Sequence, residues 1–138
     1  MTSLSYVEQK RAQKREYANA MGIDDALISQ LVERFYDTVR KDDLLGPIFE
    51  VHVTDWTVHL ARIKDFWVSV TLESGRYHGN PMLKHIAVGG LEQLHFDRWL
   101  TLWDQTVCEV VPNTSALTTF QMSAKRIASS LLMGIESR

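Results

Sequence analysis

The 138-residue sequence predicts an all-α protein, and three observations carry that prediction. Apolar residues recur with a helical period along the long segments between breaks. Residues that start or stop helices sit at the ends of those segments. The strict apolar–polar alternation of a half-buried strand is missing throughout. The length fits one domain with enough chain to bury a core.

The elements follow in order. Residues 1 to about 20 carry Glu8, Lys10, Arg11, Lys14, Arg15 and Glu16 and have a thin apolar face. They predict a solvated, weakly anchored helix or arm, with residues 1–14 an N-terminal extension and 15–138 the single domain. Gly22 reads as a stop and Asp24 as the next cap. Leu27, Ile28, Leu31, Val32, Phe35, Tyr36 and Val39 then form the clearest stripe. Gly46-Pro47 ends that unit and leads to Ile48-Phe49. Thr54 or Asp55 can cap a helix to about Leu72, with Trp56, His59, Leu60, Ile63, Phe66, Trp67 and Val70 inward. Glu73-Ser74-Gly75 breaks it. Pro81 suits the first position of a short helix to about Ile86 or Val88. Gly89-Gly90 is a flexible link. Phe96, Trp99, Leu100, Leu102, Trp103, Val107 and Val110 mark another helix, ended by Pro112. Asn113 or Thr114 can cap the last, whose face is Leu117, Phe120, Ala124, Ile127, Leu131 and Ile135.

Composition excludes several classes. A net charge of -2 and pI near 6.2 leave no basic face for nucleic acid. No apolar run reaches membrane-spanning length. The N-terminus lacks the apolar stretch of a signal peptide, which predicts a cytoplasmic protein. Cys108, the single cysteine, fits a reducing compartment. No Cys-x-x-Cys or His-Glu-x-x-His spacing supports zinc. No Ser-His-Asp set, catalytic carboxylate pair or phosphate-cradling glycine loop stands out.

The chemistry concentrates on two histidines. His59 lies on an apolar helical face, and His85 closes Pro81-Met82-Leu83-Lys84-His85. A helix, a loop and a short helix can place these imidazoles on opposite sides of a flat apolar cofactor. Neutral imidazole is the usual ligand of haem iron. Read singly, each has a blander explanation, as a cap or as a hydrogen-bonded core residue. His52, His78 and His95 fall in or near loops and read as surface residues. Phe35, Trp67 and Trp103 read as core packing. Tyr36 and Trp99 carry polar tips that need partners when buried. With His59 they imply something polar inside: a diatomic ligand, a water or a backbone carbonyl. Arg62 and Lys84 flank the histidines, as partners for cofactor carboxylates or as solvated charges.

In order and spacing these pieces resemble the third group of truncated haemoglobins, over roughly Asp25 to Ile135. The motifs are Phe35 through Asp42, Leu45-Gly46-Pro47-Ile48-Phe49, Trp56 through Trp67, Tyr77-His78-Gly79-Asn80-Pro81 on to His85, and Phe96-Asp97-Arg98-Trp99-Leu100. The paired glycines that mark the first group are missing. The second group shares a tryptophan like Trp99. The resemblance implies a two-over-two helical sandwich around one haem b. It makes His85 the proximal iron ligand and turns Tyr36, His59 and Trp99 to the distal site. Phe49, Ile63 and Phe66 become apolar contacts of the cofactor, and Arg62 and Lys84 partners of its edge. It implies binding of O2 and other diatomic ligands, with oxygen transport as the simplest use. The polar distal trio points further, to redox chemistry of O2, NO or peroxide served by a reductase. NO dioxygenase or peroxidase-like activity would fit. The rivals are a haem-based sensor without turnover and a haem-free helical interaction module.

Overall fold

The computed structural model describes residues 5–72 and 79–137. Among them are seven helices and no strand: α1 (Tyr6–Ala20), α2 (Asp25–Lys41), α3 (Gly46–His52), α4 (Trp56–Leu72), α5 (Pro81–Val88), α6 (Gln93–Val110) and α7 (Thr114–Glu136). The Glu73-Ser74-Gly75 break and His78 lie outside the described residues. No described helix is long and apolar enough to cross a membrane.

The helix starts follow local chemistry. Ser5 and Glu8 form a capping box, with the Glu8 N–H donating to Ser5 Oγ over 3.1 Å. Asp24 accepts from the Leu27 N–H at 2.8 Å, and Asn113 from the Ala116 N–H at 3.0 Å. At α4 it is Asp55, not Thr54, that takes the Val58 N–H. Helix α6 begins at Gln93, earlier than the apolar stripe indicates. His95 sits in its first turn and accepts the Glu92 N–H at 3.0 Å. His95 is therefore a helix cap rather than a loop residue, while His52 ends α3 and is exposed.

Two corrections concern the first half of the chain. Helix α1 is anchored at its C-terminal end: Ala18 and Ile23 are buried in the core, Met21 packs against it, and α1 lies on α4. Gly22, at φ +84°, makes the turn from α1 into α2. Helix α2 stops at Lys41, well before Gly46-Pro47, which opens the short helix α3 instead. Gly46 is there because α3 crosses α2 closely. A Cβ at this position would stand 2.7 Å from the Arg40 carbonyl oxygen.

The intervening corner is pinned by Asp42, a buried carboxylate. It accepts from the Leu44 and Leu45 N–H groups at 3.1 and 2.9 Å and from Arg98 Nε of α6 at 2.7 Å. Burial alone would raise its pKa. The Arg98 guanidinium and the two backbone donors outweigh that and hold the carboxyl below its usual range.

Helices α2 and α4 form one layer and α6 and α7 the other, with α2 crossing α6. This is the two-over-two sandwich. Its centre is a stack of three indoles. Trp67 and Trp103 lie 4.5 Å apart at 12°, and Trp103 and Trp99 lie 5.8 Å apart at 4°. Phe35 presents its edge to Trp99 and Trp103. Trp103 is fully buried and donates its N–H to the Phe120 carbonyl at 3.1 Å. Truncating such a side chain costs about 3–5 kcal/mol. A smaller cluster, Phe96, Ala128 and Leu131, packs α6 against α7 near α5.

Candidate functional site

Tyr36 is the base of the site. It falls on the buried stripe of α2, one turn from Val32 and Val39, and is 5% exposed. Its ring meets Phe49 of α3 at 5.6 Å, and His59 and Trp56 of α4 at 5.6 and 6.1 Å. His59 is ringed in turn by Trp56 at 5.4 Å and Phe49 at 6.0 Å. Three helices thus build a box of aromatic rings around one imidazole. Arg40 closes its outside, with the guanidinium 4.3 Å over the Trp56 ring.

The polar atoms of this box are specific. Trp99 of α6 donates its N–H to the Tyr36 hydroxyl. Burial pushes that hydroxyl's pKa far up, and the Trp99 bond offsets only part of the rise. Tyr36 therefore keeps its proton at any physiological pH. The sequence reading has Tyr36 and Trp99 both aimed at a ligand. In the structure the indole N–H of Trp99 is directed to Tyr36. His59 stands inside this ring of aromatics. Its Nε2 is buried without a hydrogen-bond partner. Burial first, and then the charges of Lys84 and Arg62, lower its pKa and keep it neutral. Both cations expected at the cofactor edge thus bear on the same imidazole. Ile63 and Phe66 of α4 are half-buried and packed on the core.

His85 is placed on α5, away from this box in the chain. Its Nδ1 lies 2.6 Å from the Pro81 carbonyl oxygen, one helical turn back. A carbonyl only accepts, so Nδ1 carries the proton and Nε2 keeps its lone pair. The half-buried ring sits 6.4 Å from Phe96, tilted by 30°.

These residues fit a haem. An orphaned buried nitrogen at His59, a Tyr36 donor and an oriented His85 imidazole are what an iron with one open position requires. Among the described residues no cluster of three His, Cys, Asp or Glu side chains could hold a bare ion. A single imidazole suits a metal already held by a macrocycle. Trp56 and the Asp42–Arg98 link are the parts that the sequence reading did not place in or under the site. The Arg40-to-Trp56 and Asp42-to-Arg98 pairs join different helices, so no local spacing announces them.

Comparison with known proteins agrees with this architecture. The family model for bacterial-like globins matches residues 17–131. A group 3 truncated haemoglobin of Campylobacter jejuni is 35% identical over 111 residues, 78% of this chain and 87% of the relative. The crystal structure of a group III truncated haemoglobin from Campylobacter jejuni superposes with a TM-score of 0.77 at 34% identity. That match covers 82% of this chain and 91% of the other. The chain therefore belongs to the bacterial-like globins, as a haem-binding protein of the third truncated-haemoglobin group.

Proposed function

We propose that this globin holds haem b through His85 Nε2 and binds O2, NO or a similar diatomic molecule beside Tyr36 and His59. The observation that carries this is the state of Tyr36. Its hydroxyl is buried and accepts from Trp99, so its own proton remains to be given away. A buried donor left unused costs about 1–3 kcal/mol, and a ligand that draws negative charge answers that cost. His59 Nε2, buried and unpaired, asks for the same occupant. Haem, when bound, supplies a ferrous iron that takes O2 and other diatomic ligands and passes charge to them.

The protein's share is to bind, orient and protect. Pro81 fixes the His85 ring. Phe49, Ile63 and Phe66 wall the cofactor, and Arg62 and Lys84 pair with its carboxylates. Trp99 holds the Tyr36 hydroxyl in place so that its proton meets developing charge, as an oxyanion hole does. Such a site is more polar than plain oxygen transport needs. It fits O2, NO or peroxide redox chemistry, of the NO dioxygenase or peroxidase-like kind, with a cytoplasmic reductase as electron donor. Residues 1–14 form an extension to one haem domain, 15–138.

The test is the release rate of O2 measured by stopped flow. A hydrogen bond to a charged acceptor is worth about 1.5–3 kcal/mol, or roughly ten- to a hundredfold in rate. Tyr36→Phe should speed O2 release by that factor and alter CO release much less. Wild-type O2 release in the variant would remove Tyr36 from the ligand's surroundings.

A further inference from the structure

We infer that a second ligand site, for a small monocarboxylate with an apolar tail, lies between α1, α4 and α7, apart from the haem site. A cavity of about 350 Å³ opens there. Drug-sized ligands occupy about 300–1,000 Å³, so this one takes a small molecule. Val70 on α4 is eleven residues beyond His59, about 16 Å along the helix axis. The aromatic box and this cavity therefore sit at opposite ends of α4.

The walls state what fits. Ala18, Met21, Val70 and Ile127 supply an apolar lining. Two cations, Lys14 of α1 and Arg126 of α7, stand at its exposed edge, and among the described residues no carboxylate lines it. Arg126 has no ion-pair partner among the described residues. One hydroxyl of the lining has no protein partner among the described residues. The hydroxyls of Thr71 and Thr119 return to the Trp67 and Ser115 carbonyls at 2.7 and 2.9 Å. Ser123, only 8% exposed, has no hydrogen-bond partner among the described residues and lines the same cavity. Its oxygen faces the cavity and is free to donate to a ligand oxygen. A carboxylate accepting from Ser123 and Arg126, its tail against Val70 and Ile127, satisfies every wall.

The experiment uses the full-length, haem-loaded, CO-bound protein, ¹⁵N-labelled, titrated with octanoate and separately with 1-octanol. Octanoate should shift the amides of residues around Ala18, Val70 and Ser123 saturably and leave those around His59 and His85 in place. Octanol should bind about tenfold more weakly, because it lacks the charge that Arg126 meets. Arg126→Gln should weaken octanoate about tenfold and octanol hardly at all. Ser123→Ala, a milder change that keeps the helix, should weaken octanoate severalfold. Equal binding of the acid and the alcohol, or shifts confined to the haem side, would overturn the assignment. So would the absence of saturable shifts at millimolar octanoate.

Discussion

The two sides of the proposed haem site are built on opposite plans. The side of Tyr36 and His59 is a box of rings from three helices, backed by the indole stack and closed by Arg40. Every group there is held by several others. The side of His85 is the eight-residue helix α5, which ends in two glycines at φ +74° and +71°. Its key imidazole is steered by one hydrogen bond, to Pro81. The lesson is that ligand discrimination needs a rigid, over-determined wall, whereas holding a metal needs one correctly turned nitrogen. Damage should therefore be all-or-none on the α5 side and graded on the other.

The largest effect is expected at His85. His85→Gly should lose most of its haem, with added imidazole restoring it in part, as read from the Soret band. Normal haem retention with an unchanged five-coordinate ferrous spectrum would mean that another residue holds the iron.

On the box side, the contrast between Tyr36 and Trp99 sharpens the picture. Because Trp99 works through Tyr36, Trp99→Phe should accelerate O2 release by less than Tyr36→Phe does. The double variant should be no faster than Tyr36→Phe alone. Additive effects in this cycle would show that the indole N–H serves the ligand directly.

A third test reaches the corner beneath both sides. Asp42→Ala removes the acceptor of the Leu44 and Leu45 N–H groups and the Arg98 link, and should cost about 1–3 kcal/mol in urea unfolding. The folded carboxyl has a depressed pKa, so its contribution is complete above the unfolded value of about 3.9. It is lost as pH falls through the lower, folded value. The gap between wild type and variant should therefore close only in acid. A gap that is unchanged at pH 2 would show that the Asp42–Arg98 charge pair contributes nothing.

His59 gives a smaller, pH-resolved effect. Burial, with Lys84 and Arg62 beside it, lowers its pKa from 6.5. Among the described residues Tyr36 also faces it, and burial keeps that hydroxyl protonated. O2 release should be flat from about pH 9 down to 7 and change only below the ordinary histidine range. An inflection above 6.5 that disappears in His59→Leu would contradict this. The smallest change is expected at the cations. Exposed ion pairs are worth about 0–1 kcal/mol, so Arg62→Ala and Lys84→Ala should each raise haem loss by less than about tenfold.

Much of this was legible in the chain. The stripe through Ile28, Val32, Phe35 and Tyr36 demands a buried helix, and the spacing of Pro81 and His85 is one turn, enough for the Nδ1 bond. Asp24, Pro81 and Asn113 sit where helix starts require them. The failures share a form. Helix α3 was hidden because seven residues show no period. The anchoring of α1 was hidden because only Ala18 and its neighbours at one end touch the core. The capping role of His95 depends on Glu92 taking an extended backbone, which no residue type dictates.

By itself, the sequence determined the long helices from α2 onward, their inward faces and the residues able to do iron chemistry, because period, caps and breakers act within a few residues. Tertiary structure alone decided which donor faces which acceptor. Trp99 lies 63 positions from Tyr36 in the chain, yet its N–H is spent on that hydroxyl. Asp42 meets Arg98 across 56 positions, and Ser123 has no partner among the described residues at the cavity that α1, α4 and α7 line. Hydrogen bonds are short and directional, so helix crossings, not spacing along the chain, settle them.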